Sequence, residues 1–390
     1  MPPRWVPPND APSRARALGP PDACCPVTGG GVQLHEALTR CWPCVPDMPR
    51  PKRDDWLALG GAGEGDRRGQ SFKDFARPGP HRTFPTANSK TIYVVPIGSI
   101  EGFPPLESLL AVLEACYSLP VRALPTPIPA KEVRALERDL GSAGYGPQLE
   151  TPAVRALLGK HKPRDAFALV GVTMEDLCCT AKGFDFLFGQ ADLDKGVGVF
   201  SFARYSDDAP SAGHGPAFLR RCAMVLCHEV GHLFGIKHCV YGLCLMNGSN
   251  HLEEAERRPF ALCPLDLRKW RATVAAARLG ASVELDLAAR ECNMLRWLEE
   301  NGLEADAALA RLRVAALEGG EPTTAAAAAA VASSSEAVPS DGAAAVGNGP
   351  APARPVATVL SAAQIKAADA LRRAPSLCIY YCVHTLVCVF

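Results

Sequence analysis

The sequence predicts an α/β fold with a mixed sheet, because short buried strands alternate with helices along much of the chain. The first observation is Thr91–Ile97, a run of β-branched and apolar residues that is typical of a buried strand. The second is Leu106–Tyr117, where apolar residues recur with helical spacing. The third is a long apolar helix over 216–234, which ends at Gly235. With 48% hydrophobic residues in 390, the composition is sufficient for a packed core.

The other elements are assigned from the same two periodicities. Strands are predicted at 121–124, 166–172 and 196–202, and helices at 151–160, 263–279 and 283–300, with Thr151 as the cap of the first helix. The helices after 263 predict a helical C-terminal subdomain. Two interpretations remain for the strand 196–202: an ordinary core strand, or an edge strand to which a peptide adds as a further strand.

The composition divides the chain into four segments. Residues 1–85 are rich in Pro and Gly, which predicts a mostly disordered N-terminal segment. Residues 86–317 contain the predicted strands and helices, which predicts that they form the main folded domain. The low-complexity Ala, Gly, Pro and Ser of 318–356 predict a linker. Residues 357–390 predict one amphipathic helix and an apolar tail, and we expect both ends of the chain to be largely disordered.

Charge and hydropathy exclude several classes of protein. There are 41 basic and 41 acidic residues, so no basic excess points to nucleic acid. No apolar run reaches the roughly 18 residues of a membrane-spanning helix. The N-terminus lacks the apolar stretch of a signal peptide, which predicts a cytoplasmic protein, with the nucleus as an alternative.

In a reducing compartment the 16 cysteines are expected as metal ligands or buried thiols. The sequence does not indicate an oligomeric state.

One part of the long helix carries a metal-ligand pattern. His228 and His232 are four residues apart and share a helix face, so both ring nitrogens can reach a single ion. Gly235 ends the helix, and the following turn brings His238 back towards the same ion. Neutral imidazole is a preferred zinc ligand, and three histidines leave the fourth position for water. The pattern predicts a catalytic zinc site rather than a closed structural one.

Glu229 follows the first ligand and is expected to face the metal without binding it. Because zinc lowers the pKa of its water, Glu229 is predicted to act as general base when that water attacks a peptide carbonyl, and then as general acid towards the leaving amine. The sequence thus predicts a zinc metallopeptidase that acts on peptides or proteins. Two alternatives stay open: a non-catalytic zinc-binding interaction protein, and a zinc hydrolase that acts on another amide.

The longer pattern HExxHxxGxxH, which runs from His228 to His238, is the metzincin signature. Metzincins have a downstream methionine in a tight turn below the metal, and Met246 is the candidate for this Met-turn. The cysteines after His238 and the stretches 196–205 and 248–259 resemble the archaemetzincin family, in particular its animal-type members. The resemblance covers roughly residues 70–275. It implies a metzincin-like zincin fold with backing and active-site helices, peptide-hydrolase activity and two zinc ions.

The resemblance also implies that four cysteines bind the second, structural zinc ion. Cys239, Cys244 and Cys263 match three of them, whereas the fourth position is Asp266. A carboxylate can bind zinc, so a site of three cysteines and one aspartate is expected here. The alternatives are that the second site is lost or that another thiol completes it. Such a site would fix the chain after His238 against the helix that follows Cys263.

Overall fold

The computed structural model of the chain describes residues 5–21, 31–58, 67–77, 84–138, 148–182, 184–205, 215–276, 286–322, 325–326, 329–330 and 385–388. The helices are α1 (Ala11–Leu18), α2 (Gly31–Arg40), α3 (Phe72–Ala76), α4 (Leu106–Tyr117), α5 (Ala130–Arg134), α6 (Thr151–His161), α7 (Pro216–Leu233), α8 (Leu252–Glu256), α9 (Pro264–Ala276), α10 (Leu287–Glu300) and α11 (Glu304–Leu317). Short 3-10 helices span Trp42–Cys44 and Thr180–Lys182. The strands are β1 (Thr91–Ile97), β2 (Val121–Ala123), β3 (Glu137–Arg138), β4 (Gln148–Glu150), β5 (Ala166–Thr173), β6 (Asp176–Cys179), β7 (Phe184–Leu187), β8 (Gly189–Asp192), β9 (Val197–Ser201) and β10 (Thr385–Cys388).

The main sheet has six strands in the order β10-β8-β9-β5-β1-β2, and a second sheet has the order β3-β4-β6-β7. In the main sheet β2, β1, β5 and β9 are parallel, whereas β8 pairs antiparallel with β9, and β10 with β8. Helices cover parallel strands on both faces, and every residue of β5 is accordingly buried. The predicted α/β fold with a mixed sheet is confirmed.

Most predicted elements occur, with bounds that differ by a few residues. β1 and α4 have the predicted bounds. The strand predicted at 196–202 is β9, which pairs with β5 on one side and β8 on the other. It is therefore an inner strand, and its interpretation as an edge strand for an added peptide is wrong. Thr151 does not cap α6 either, because Glu150 is at the N-cap position and the buried Thr151 hydroxyl donates to Gln190 at 2.6 Å.

The prediction of a mostly disordered segment over 1–85 is wrong for the part that the structure describes. α1, α2, α3 and one 3-10 helix lie within it. Their apolar side chains belong to the main hydrophobic core, where Leu18, Leu38 and Phe72 are buried. The segment therefore packs against the rest of the fold.

These short helices are stabilised by caps and by contacts with distant residues. Asp10 caps α1 by accepting a backbone hydrogen bond, and Ser71 and Asp74 form a capping box at the start of α3. Arg268 of α9 donates to carbonyl oxygens at the end of α1, including that of Gly19 at 3.0 Å. Because this anchor comes from a residue 249 positions away, the periodicity of the N-terminal segment does not predict it.

The C-terminal segments are described only in part. α11 ends at Leu317, immediately before the predicted linker, whereas the helix predicted within 357–390 lies outside the described residues. Residues 385–388 form β10 at one side of the main sheet. In the part of the chain that the structure describes, every helix is too short or too polar to cross a membrane.

Candidate metal centres

The helix α7 carries the first two predicted zinc ligands into the core. Pro216 begins the helix, where a missing N–H has no cost, and nearly all residues from Phe218 to Leu233 are buried. The chain leaves the helix at Phe234, and Gly235 has a φ of 80°, a conformation that favours glycine. The helix therefore ends at Leu233, within two residues of the predicted break at Gly235.

The structure brings the three predicted histidines together. The ring centroids of His228 and His232 are 4.6 Å apart, those of His228 and His238 5.4 Å, and those of His232 and His238 5.0 Å. One candidate ligand nitrogen from each ring lies within 4.8 Å of the others. All three side chains are buried. The three rings therefore form one cluster that a single ion can bridge.

Backbone carbonyls fix the orientation of two of the rings. Nδ1 of His228 lies 2.8 Å from the Leu245 carbonyl oxygen, and Nδ1 of His232 lies 2.7 Å from that of Ile236. A carbonyl only accepts, so each Nδ1 donates and the lone pair of a neutral ring is on Nε2. Hydrogen bonds of this kind, made by the ring nitrogen that does not face the metal, orient histidine ligands and increase their basicity.

Burial keeps the three histidines in their neutral form. It lowers the pKa of His232 to about 4, with the positive charge of Arg258 acting in the same direction. Burial also lowers the pKa of His228 and His238 well below the ordinary value, and here the neighbouring histidines and Arg258 add to the effect. Neutral rings are the form that binds a metal ion.

Met246 packs against Gly231 of α7, the residue before His232. The side chain is fully buried, and a Cβ atom added to Gly231 would lie 2.6 Å from its Sδ atom. Gly231, the residue before His232, therefore leaves space for the thioether of Met246. The carbonyl of Met246 accepts a hydrogen bond from the Cys239 amide at 2.8 Å, which ties this turn to the residue after His238.

The four residues predicted for a second site also lie together and are all buried. Cys239, Cys244, Cys263 and Asp266 each offer a ligand atom within 4.8 Å of the others. The sulfur atoms of Cys239 and Cys263 are 3.7 Å apart, and Oδ2 of Asp266 lies 3.3 Å from the sulfur of Cys244 and 3.5 Å from that of Cys263. The amide of Cys263 donates to the Cys244 sulfur at 3.2 Å. The aspartate thus lies at the position that completes the thiol cluster.

A buried lysine belongs to this second cluster. Nζ of Lys269 donates to Oδ1 of Asp266 at 2.8 Å, and both side chains are almost completely inaccessible to solvent. Burial and the nearby Cys263 raise the pKa of Asp266 to about 7, while Lys269 opposes this shift. Hydrogen bonds from Cys244 and Cys263 lower the pKa of Cys239 to about 5. The cluster therefore favours a thiolate at Cys239.

Several polar residues around the two clusters were not predicted from the sequence. Arg258 is buried and its Nη1 lies 3.3 Å from Nδ1 of His228. The Asn247 side chain accepts from the Cys244 amide at 2.7 Å and so shapes the turn between the cysteines. Gln70 contacts the turn that follows α7. Asn247 and Arg258 lie close to the motif in the sequence, which was a usable signal, whereas Gln70 is far from it.

Comparison with known proteins shows which sequences and structures the chain resembles. The family model "Peptidase family M54" matches residues 165–271. Archaemetzincin-2 of Homo sapiens is 33% identical over 271 residues, which cover 61% of this chain and 72% of that protein. Archaemetzincin-1 of Homo sapiens is 32% identical over 232 residues, which cover 51% of this chain and 46% of that protein. Among solved structures, the archaemetzincin of Methanopyrus kandleri is 23% identical, with a TM-score of 0.37, and covers 48% of this chain and 96% of that one.

The matched sequences, together with an α/β fold that brings candidate metal ligands together in its core, define a zinc-dependent metallopeptidase. The chain belongs to the archaemetzincin family. Both expectations from the sequence, a hydrolase of this class and this family, are confirmed.

Proposed function

We propose that His228, His232 and His238 hold one catalytic zinc ion, and that Glu229 carries the proton transfers of peptide-bond hydrolysis. One observation supports this most strongly: three buried imidazoles lie together, and two of them already donate through Nδ1 to carbonyl oxygens. Rings held in this way present Nε2 lone pairs to a metal. The loss of solvent around them keeps the rings neutral and these lone pairs available.

The donor set fits a catalytic ion, because three neutral ligands leave coordination positions for water and substrate. Zinc, when bound, supplies Lewis acidity that lowers the pKa of a water and polarises the substrate carbonyl. Glu229 lies on α7 beside His228 and is buried. Its carboxylate takes a proton from the attacking water and returns it to the nitrogen of the leaving amine. Peptides or proteins are the substrates.

We also propose that Met246 is the methionine of a Met-turn and acts by packing. Its contact with Gly231 supports the rings of α7 from below, and its backbone hydrogen bond with Cys239 holds the turn. A thioether is a weak hydrogen-bond acceptor and a flexible apolar filler, which suits a packing role beneath the imidazoles.

For a second zinc ion we propose Cys239, Cys244, Cys263 and Asp266 as ligands. With zinc–sulfur bonds of about 2.3 Å and a zinc–oxygen bond of about 2.0 Å, tetrahedral geometry separates two sulfurs by about 3.8 Å and a sulfur from an oxygen by about 3.5 Å. The corresponding distances here are 3.7 Å between two sulfurs, and 3.3 and 3.5 Å from sulfurs to Oδ2. This agreement supports one tetrahedral ion at the cluster.

Lys269 would decide how Asp266 binds this ion. Its ammonium group donates to Oδ1, so Oδ2 is the oxygen that faces the sulfurs. A carboxylate that binds through one oxygen fills a single tetrahedral position, as the cysteine of the family pattern does. The buried cation also offsets part of the negative charge of three thiolates and a carboxylate.

Glu229→Gln tests the catalytic proposal, because it keeps the size of the side chain and removes its capacity to take a proton. We expect cleavage of a peptide library, followed by mass spectrometry, to slow by about 10²–10⁴-fold. The zinc content should stay at the wild-type value, since Glu229 is not proposed as a ligand.

The matched control is Glu114→Gln, which makes the same change at an exposed position of α4 and should cleave like wild type. Undiminished cleavage by zinc-loaded Glu229→Gln would contradict the role of Glu229. If wild-type protein with its full zinc content cleaves no peptide, the non-catalytic zinc-binding protein becomes the better interpretation.

A further inference from the structure

The third histidine of the cluster is held differently from the other two. His228 and His232 lie on α7, whose backbone fixes their positions, whereas His238 follows Gly235 in a segment without regular structure. A ligand on such a turn needs other contacts to keep it in place. These contacts come from Trp56 and Gln70 of the N-terminal segment.

Gln70 forms two hydrogen bonds with the backbone of the turn between α7 and His238. Its side-chain nitrogen donates to the Gly235 carbonyl at 3.2 Å, and its side-chain oxygen accepts from the Lys237 amide at 3.0 Å. The side chain is buried, and its amide uses a donor and an acceptor on two backbone groups of one short turn. Gln70 thereby restrains the residues immediately before His238.

Trp56 contacts the ring of His238 itself. The two ring centroids are 5.6 Å apart with an interplanar angle of 80°, an edge-to-face arrangement. Gly248 lies behind this contact: a Cβ atom added there would lie 2.7 Å from Cδ1 of Trp56 and 3.1 Å from Nδ1 of His238. The glycine therefore makes room for the indole next to the imidazole.

Trp56 is in turn anchored by charged residues around α8. The neighbouring Asp55 is buried and pairs with Arg257 at 2.5 and 3.1 Å and with His251 at 3.2 Å. The amide of Trp56 donates to both carboxylate oxygens of Glu254, at 3.0 and 3.1 Å. Buried and bidentate pairs of this kind restrain geometry more than exposed ones do.

We propose that Gln70 and Trp56 are positioning residues, through which the N-terminal segment sets the place of His238 and so the zinc affinity of the histidine centre. Gln70 fixes the backbone that leads to the ligand, and Trp56 fixes the ring. The inference rests on the proposed role of His238 as a ligand. It makes a segment outside the matched family model part of the metal centre.

The test is zinc affinity, measured by metal analysis after dialysis of the full chain against buffers of graded free zinc. Gln70→Met keeps the side-chain volume and removes both hydrogen bonds, and Trp56→Ala removes the indole. We expect each to raise the dissociation constant of the histidine centre about tenfold or more, as the loss of residues that orient metal ligands does elsewhere. Trp56→Phe, which retains an aromatic ring, should restore most of the affinity.

Three variants separate the outcomes. Gln33→Met is the matched control at an exposed position of α2 and should bind zinc within about twofold of wild type, as surface changes leave a distant site unaffected. His238→Ala identifies which step of the zinc titration belongs to the histidine centre. If Gln70→Met does not fold, Gln70→Glu replaces it, since glutamate still accepts from Lys237 but cannot donate to Gly235 when ionised.

Zinc dissociation constants within about twofold of wild type for both the Gln70 variant and Trp56→Ala, with affinity lost in His238→Ala, would overturn the positioning role while the proposed ligands stand. An unchanged titration of His238→Ala would instead overturn the ligand set, and the positioning role with it.

Discussion

The last residue of the histidine cluster, His238, is followed directly by the first residue of the cysteine cluster, Cys239, yet the two candidate metal-ligand clusters differ in ligand charge and number. The histidine cluster offers three neutral imidazoles near the buried cation Arg258. The other cluster offers three thiols and a carboxylate, with the buried cation Lys269 bonded to that carboxylate. Neutral ligands leave the charge of a divalent ion in place for chemistry, whereas anionic ligands cancel it. On the proposed assignment, one stretch of chain therefore supplies two different metal environments, one suited to activating water and one to holding the fold.

The largest effect is expected from breaking the second cluster at Asp266. Asp266→Ala removes the fourth ligand and leaves Lys269 buried without its carboxylate. Loss of one partner from a buried ion pair costs roughly 3–5 kcal/mol of unfolding free energy. We expect denaturant unfolding to show a loss of this size, and metal analysis to show one zinc ion fewer, with the histidine centre still loaded.

Asp266→Cys is the control that keeps a ligand at this position. It provides the four-cysteine set of the family pattern and an acceptor for Lys269, so the loaded protein should hold the second zinc ion and unfold at a higher temperature. One zinc ion per chain in both wild type and Asp266→Cys would refute the second site.

The residues of the two clusters could be predicted from the sequence, whereas the distant residues that hold them in place could not. The residues of the histidine cluster follow from spacing, because helix geometry and a glycine break act locally. Those of the cysteine cluster follow only from the resemblance to the family pattern. Gln70 lies 165 positions from the carbonyl that it holds, and no periodicity predicts such a pair. The strands and helices around the site were predicted well for the same local reason.

The N-terminal segment was mispredicted because its apolar residues are few and its helices are short. The capping box at Ser71 and Asp74 was a readable signal of α3. The buried partner Arg268, which fixes the end of α1, was not readable, because only the folded chain brings it there. Composition indicates whether a segment would be ordered by itself. The N-terminal segment is instead stabilised by packing against residues that lie far away in the sequence.

Acid should destabilise the zinc-free protein through the histidine cluster. The pKa of His232 is about 4 in the folded protein, against 6.5 for the ordinary side chain, because it is buried and near Arg258. Between these values the unfolded chain binds more protons, so stability falls as the pH is lowered from about 6.5 towards 4. For His232 alone the loss is on the order of 3 kcal/mol. Unfolding free energies of chelator-treated protein across this range measure it.

Asp266 is expected to oppose this loss of stability in acid, so the two clusters should differ in the sign of their pH dependence. Burial raises its pKa from 3.8 to about 7, so the folded protein binds more protons there, and its contribution to stability is greatest at low pH and is lost as the pH rises through 7. His232→Gln should therefore make the loss of stability in acid smaller, and Asp266→Asn should make it steeper. Equal slopes in the two variants would contradict the assignment of opposite signs.

The smallest effect is expected at Met246, whose side chain contacts the helix of the histidine cluster and whose backbone contacts the cysteine cluster. Its carbonyl accepts from Cys239 and its amide donates to the Cys244 sulfur at 3.4 Å, while its side chain packs against Gly231 of α7. Met246→Leu keeps the two backbone bonds and nearly the same volume, so it should cost less than about 1.5 kcal/mol of unfolding free energy.

The zinc content of Met246→Leu should equal that of wild type at both centres, because the thioether packs and does not bind. Met294→Leu makes the same change in the buried face of α10 and gives the cost of the substitution without a metal nearby. A selective loss of zinc from the histidine centre in Met246→Leu would identify the sulfur as a ligand. If Met246→Leu and Met294→Leu lose the same unfolding free energy and zinc is retained, the side chain of Met246 acts by packing alone. The turn is then joined to the histidine centre by this packing and to the cysteine cluster by its backbone hydrogen bonds.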